Sequence, residues 1–207
     1  STPFDHGSVD VLAELDVPAF KVGSGELTNW PLLEHISKKG KPVILSTGMA
    51  TLSEVDEALR VVRDAGASDV IVLHCVSNYP ASAEEVNLQA MRTMSRAFPV
   101  NIGYSDHTVG IEIPIAAVAL GATVIEKHFT LDKTMEGPDH AASLEPSELK
   151  EMISSIRSVE AARGDGIKRP MPSELSTAAV ARRSLVVGLD IAAGTVLERE
   201  MIEILRP

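Results

Sequence analysis

The sequence predicts an α/β fold of the TIM type, a β/α barrel built from repeated strand–helix units. Three observations predict it. Short apolar runs recur roughly every 25 to 30 residues with helical patterns between them, which is the rhythm of βαβ units. Polar residues stand at the C-terminal end of each run, where barrel enzymes gather their chemistry. No Gly-x-Gly-x-x-Gly follows any run, which weakens the alternative of an open, doubly wound sheet for dinucleotides.

Strands are expected at residues 19–22, 42–45, 70–74, 100–103 and 123–125. Between the first two, residues 30–39 read as a helix. After the second, Thr51, Leu52, Ser53 and Glu54 have the form of a capping box. Val55, Ala58, Leu59 and Val62 then repeat at helical spacing, and Gly66 is a plausible terminator. Further helices are expected at 88–98 and at 111–120, where Pro114 falls in the tolerated first turn. The longest helix is expected at 146–163, with Leu149, Met152, Ile153 and Ile156 on one face and Gly164 past its end. Thr2, Pro3 and Phe4 look like the tail of a sixth strand. Five or six strands cannot close an eight-stranded barrel, so the chain reads as a piece lacking the first strands. The expected organisation is a partial barrel over 1–163, a polar, proline-bearing linker over 164–180, and the start of a small β-rich module over 181–207.

Composition narrows the function. The chain has 207 residues, one cysteine and 44% hydrophobic residues, enough for one large domain or one plus a small one. A net charge of −10 and 3% aromatic content argue against a nucleic-acid surface. No membrane span or signal peptide is visible, and the lone Cys75 fits a reducing cytoplasm.

Ser105, Asp106 and His107 follow the fourth run, and Glu126, Lys127 and His128 follow the fifth. Two histidines at equivalent strand ends can converge on one point, and imidazole is a common ligand for divalent metals. A shared metal centre is then as good a reading as two packing histidines. Lys21 ends an apolar strand and leads into Gly23, Ser24 and Gly25, where the backbone can approach an anion closely. Ser46, Thr47 and Gly48 read on their own as a strand-to-helix turn.

Six motifs follow one another in order: the run from Lys21 through Gly23, Ser24, Gly25 and Glu26 to Asn29; Ser46-Thr47-Gly48-Met49; His74-Cys75 with Tyr79-Pro80; Gly103-Tyr104-Ser105-Asp106-His107-Thr108; Glu126-Lys127-His128-Phe129-Thr130; and Gly137-Pro138-Asp139-His140. Together they resemble the sialic acid synthase family, the N-acetylneuraminate synthases and their bacterial relatives, from Ser1 to Pro207. The resemblance implies the later strands of a β/α barrel followed by the opening of an antifreeze-like (SAF) module. It implies condensation of phosphoenolpyruvate with the open-chain aldehyde of an N-acetylated hexosamine, typically N-acetylmannosamine, to a nine-carbon 2-keto acid and phosphate. It assigns His107 and His128 to a divalent metal, Mn2+ or Mg2+. It places Thr2, Lys21, Ser24, Ser46 and Ser105 at the phosphoenolpyruvate end. It places Phe4, Glu26, Ser77, Tyr79 and Asp139 around the sugar, with Glu26 able to move protons or hold hydroxyls. Asp106 would hold the loop or orient His107. Some members carry asparagine where Ser77 stands. Arg206-Pro207 matches a motif whose arginine reaches across a domain-swapped homodimer to the sugar's N-acetyl group. A legionaminic or pseudaminic acid synthase is the alternative within the class. A non-catalytic sugar-binding or assembly piece is the alternative outside it.

Overall fold

In the computed structural model, which describes residues 1–206, five short strands lie side by side: Phe20–Val22 (β1), Val43–Ser46 (β2), Val70–His74 (β3), Asn101–Asp106 (β4) and Ile125–Lys127 (β5). All pair in parallel, in the order β1-β2-β3-β4-β5. A doubly wound sheet reverses its strand order partway. This one never does, and it makes an open α/β half-barrel. Each crossover carries a helix: Trp30–Ser37 (α2), Leu52–Asp64 (α3), Gln89–Ala97 (α4) and Glu112–Ala119 (α5), with Pro146–Arg163 (α6) after β5.

Register sorts the side chains into two faces. Val22, Leu45, Val72 and Ile102 form one row across four strands. They are buried with Leu32, Leu33 and Ile36 of α2, Val55, Ala58, Leu59 and Val62 of α3, and Met91 and Met94 of α4. The opposite face carries Lys21, Ile44 and Ile71, then Ser46, Leu73 and Gly103, then Ser105 and Glu126. Gly103 admits no side chain there: a Cβ would come 2.5 Å from the Val124 carbonyl oxygen and 2.6 Å from Leu73 Cδ2. α3 begins with the capping box, Thr51 Oγ1 and Glu54 each accepting from the other's backbone N–H. Gly66 follows α3 at φ 99°.

Four expectations differ from the structure. A further helix, His6–Glu14 (α1), precedes β1, capped by Asp5 and burying only Val9. Thr2, Pro3 and Phe4 form no strand, since Pro3 has no N–H to give a ladder; Ser1 alone reaches β1, accepting from Lys21 N at 2.9 Å. β4 and β5 run on past their apolar residues to Asp106 and Lys127. The stretch read as a linker holds a 3-10 turn, Pro172–Glu174, and a helix, Leu175–Ala181 (α7), built on the alanine-rich run after Ser176.

The chain divides into two units, Ser1–Arg163 and the residues from Gly164 onward. In the second, Ser184–Val187 (β6) pairs antiparallel with Ile202–Leu205 (β7), Ser184 opposite Leu205 and Val187 opposite Ile202. Arg206 follows β7, and Pro207 of the Arg-Pro motif lies outside the described residues. Among the described residues no helix is long and apolar enough to cross a membrane.

Candidate active site

The inner face at the C-terminal ends of the strands carries a row of polar groups. Lys21 Nζ lies 3.5 Å from Glu126 Oε1. The same oxygen accepts from Ser105 Oγ at 2.7 Å. Ser46 is 3% exposed, and among the described residues its Oγ has no hydrogen-bonding partner. A buried hydroxyl without a partner costs free energy, so this one marks a place where an oxygen-rich ligand is favoured. Glu126 escaped the sequence reading. The signal was there in the spacing: Glu126 precedes His128 by two residues, so both point to one face, and the ladder sets it opposite Ser105.

Next to this row stand two imidazoles. The ring centroids of His107 and His128 are 5.3 Å apart with planes at 88°. Tyr79 closes a triangle, 4.2 Å from His107 and 5.5 Å from His128. His107 Nδ1 meets the Val76 carbonyl oxygen at 2.6 Å. A carbonyl accepts only, so Nδ1 carries the proton and Nε2 is left with a lone pair. Burial pushes the His107 imidazole below its ordinary value, which keeps it neutral. His128 Nδ1 stands 3.7 Å from Asp139 Oδ2. Burial raises the Tyr79 phenol, so it stays a hydrogen-bond donor.

These residues fit a divalent ion in chemistry and in spacing. A carbonyl-pinned neutral imidazole with a free Nε2 is the usual state of a metal-binding histidine. With metal–nitrogen bonds of about 2.0–2.2 Å, two rings on one ion have centroids no more than roughly 6 Å apart. Among the described residues no group of three His, Cys, Asp or Glu side chains is placed to hold a metal ion. A metal held here by the two imidazoles would keep coordination positions for other ligands.

The remaining expected residues fall into place unevenly. Ser24 Oγ accepts from Gly48 N at 3.0 Å, two residues after Ser46, and lies 3.2 Å from Cys75 Sγ. Ser77 belongs to the same cluster, and a Cβ on Gly48 would stand 2.1 Å from Ser77 Oγ. Glu26 is half-buried in a 3-10 turn, Ser24–Glu26, with Oε2 accepting from Asn29 Nδ2 at 2.7 Å. Phe4, 66% exposed, lies against Gly23. Thr2 is half-buried beside Ser1, whose carbonyl bonds to Lys21. Arg206 is exposed in the second unit.

A half-barrel with an anion-type row and a two-imidazole corner at the strand C-termini has the layout that β/α-barrel enzymes use. The chain belongs to the NeuB family, whose model matches residues 1–168. It is 53% identical to an N,N'-diacetyllegionaminic acid synthase of Campylobacter jejuni over 209 residues, covering 100% of this chain and 63% of that protein. It is 43% identical to the human N-acetylneuraminate-9-phosphate synthase over 201 residues, covering 97% of this chain and 56% of that protein. Among solved structures, an N-acetylneuraminic acid synthetase from Leptospira borgpetersenii in complex with citrate superposes with a TM-score of 0.80 at 40% identity, covering 85% of this chain and 61% of that one. The chain thus spans about six-tenths of the length of the relatives it matches.

Proposed function

We propose that the full-length protein joins phosphoenolpyruvate to the open-chain aldehyde of an N-acetylated hexosamine, giving a nine-carbon 2-keto acid and phosphate. The observation that carries this reading is the adjacency of two chemically different corners on one strand-end surface: the Lys21–Glu126–Ser105 row with the unpartnered Ser46, and the His107–His128 pair. A carbon–carbon bond forms between the methylene carbon of phosphoenolpyruvate and the aldehyde carbon. Water adds to the enol carbon, and phosphate leaves.

Lys21 supplies the charge for the phosphate or carboxylate, and the hydroxyls of Ser46 and Ser105 donate to its oxygens. Glu126 holds the Lys21 ammonium and the Ser105 hydroxyl until the anion arrives, then is placed to handle a proton beside the reacting carbons. A manganese or magnesium ion held by His107 and His128 would polarise the aldehyde oxygen as a Lewis acid. Glu26, fixed through one carboxylate oxygen by Asn29, offers the other to a sugar hydroxyl. Tyr79 and Asp139 border the imidazoles and wall the sugar side, with Phe4 and Ser77 at its margin. Thr2 and Ser24 support the anion end. Arg206 of a second copy in a domain-swapped homodimer binds the N-acetyl group.

The higher identity to the diacetyllegionaminic acid synthase favours a diacetamido hexosamine over N-acetylmannosamine as the preferred aldehyde. Phosphate release by the full-length protein, with Mn2+ or Mg2+ and each sugar in turn, tests both statements. Phosphoenolpyruvate left intact with every N-acetylated hexosamine defeats the proposal. Equal or better turnover of N-acetylmannosamine defeats the preference.

A further inference from the structure

Both flanks of His107 are gripped by the residue that precedes His128. Asp106 and Lys127 are register partners on the last rungs of β4 and β5. Their side chains point away from the site, into the layer under the helices. Lys127 Nζ lies 2.5 Å from Asp106 Oδ2, and the two side chains are 3% and 0% exposed. The same ammonium donates to the Thr108 carbonyl. Asp106 Oδ1 in turn accepts from Thr108 N at 3.1 Å, from Thr108 Oγ1 at 2.9 Å and from the Tyr104 hydroxyl at 2.9 Å. One buried cation thus ties residues 106 and 108 to the strand end that delivers His128.

We propose that Asp106 and Lys127 are positioning residues that set the separation of the His107 and His128 imidazoles. The inference rests on the reading that those imidazoles share a metal ion. Stability alone gives little reason for such a pair, because a buried ion pair can often be replaced by well-packed neutral groups without loss. What neutral groups lack is directional grip on a specific carbonyl and a specific amide. Other contacts hold each histidine separately: Val76 O pins the His107 ring, Ala81 N donates to the His107 carbonyl, and Leu144 N donates to the His128 carbonyl. The β4–β5 ladder and the Ser105–Glu126 hydrogen bond join the two strands up to their last rung, and the Lys127 ammonium carries the tie past it to the Thr108 carbonyl, on the far side of His107. Metal–ligand bonds tolerate errors of about 0.2 Å, so a small slip between β4 and β5 is felt at the ion.

The test compares full-length parent, Asp106→Asn/Lys127→Met and Lys127→Arg. Mn2+ affinity is read from the magnetic resonance signal of the free ion, and coordination geometry from the visible spectrum of Co2+. The double variant is expected to fold yet bind Mn2+ at least tenfold more weakly, with a changed Co2+ spectrum and metal-free phosphoenolpyruvate binding unchanged. Lys127→Arg keeps the charge but not the length; it is expected to fold and lose threefold or more. A folded variant of either kind with parental Mn2+ affinity and spectrum overturns the inference. A parent whose Mn2+ affinity is unmoved by His107→Ala defeats the shared-metal reading itself, and the inference with it.

Discussion

Ser46→Ala separates the needs of the ligand-free protein from those of the proposed substrate. The Ser46 hydroxyl is buried without a partner among the described residues, so its removal relieves a desolvation cost of about 1–3 kcal/mol. Alanine leaves no large cavity, because a single oxygen is lost. In a chain of this size each kcal/mol moves the melting temperature by about 2–4 °C. The ligand-free variant is therefore expected to melt several degrees higher than the parent. The same change removes a hydrogen bond to a charged ligand, worth about 1.5–3 kcal/mol, or about 10- to 150-fold in affinity for phosphoenolpyruvate. Thermal unfolding of the full-length protein, with and without phosphoenolpyruvate, reads both effects in one series. A ligand-free variant that melts at or below the parent temperature, or one with parental affinity, would refute the reasoning.

Lys21→Ala should weaken phosphoenolpyruvate by a similar 10- to 150-fold while changing the hexosamine KM little, since only the anion uses that charge; equal losses in substrate titrations would reject the assignment. Gly48→Ala drives a Cβ to 2.1 Å from Ser77 Oγ and 2.9 Å from Ser24 Oγ, an overpacking expected to cost about 1–3 kcal/mol in urea unfolding. Adding Ser77→Ala should recover much of that loss, and a fully additive double variant would show the clash is elsewhere. His74 Nε2 donates to Val86 O at 2.7 Å, and burial lowers its imidazole from the ordinary 6.5. The unfolded chain thus takes up a proton near that value and the folded chain only at lower pH, so stability is full above it and falls as pH drops below it. His74→Gln should remove up to about 1.4 kcal/mol per pH unit of that slope; an unchanged slope in urea titrations between about pH 5 and 7 excludes the buried imidazole as its source. Arg206→Ala in the full-length protein should raise the hexosamine KM and leave that for phosphoenolpyruvate nearly unchanged, and unaltered hexosamine kinetics would remove Arg206 from the site.

The elements that punctuation and periodicity mark were legible from the residues. β3 falls on its apolar run from Val70 to His74, and α6 on the run from Pro146 to the glycine that ends it. β4 and β5 extend further because ladder bonds need backbone only, and polar Ser105, Asp106, Glu126 and Lys127 continue them. α1 left a faint trace, with one buried side chain and Gly7 in its first turn. At the site, the two histidines could be read from their equivalent places. Glu126 could be read only in part: its place two residues before His128 puts both on one face, but its standing opposite Ser105 is a matter of register, a property of two strands together. The contacts of Ser24 with Gly48 and Cys75 depend on the 3-10 turn and on two other strand ends, which the residues around Ser24 do not reveal.

The proposed substrates meet mechanically different parts of the molecule. Lys21, Ser46, Ser105 and Glu126 sit on strands, where ladder bonds hold them, from both sides for Ser46 and Ser105 and from one side for Lys21 and Glu126. Ser77, Tyr79 and Asp139 sit on the connections after β3 and β5, outside any ladder. Connections accept insertions and exchanges that strands do not. A lineage could therefore have changed its sugar by trading loops while inheriting the three-carbon donor's floor intact, and an engineer could do the same. Diversity of product acids around one constant partner is what such a division of labour would leave behind.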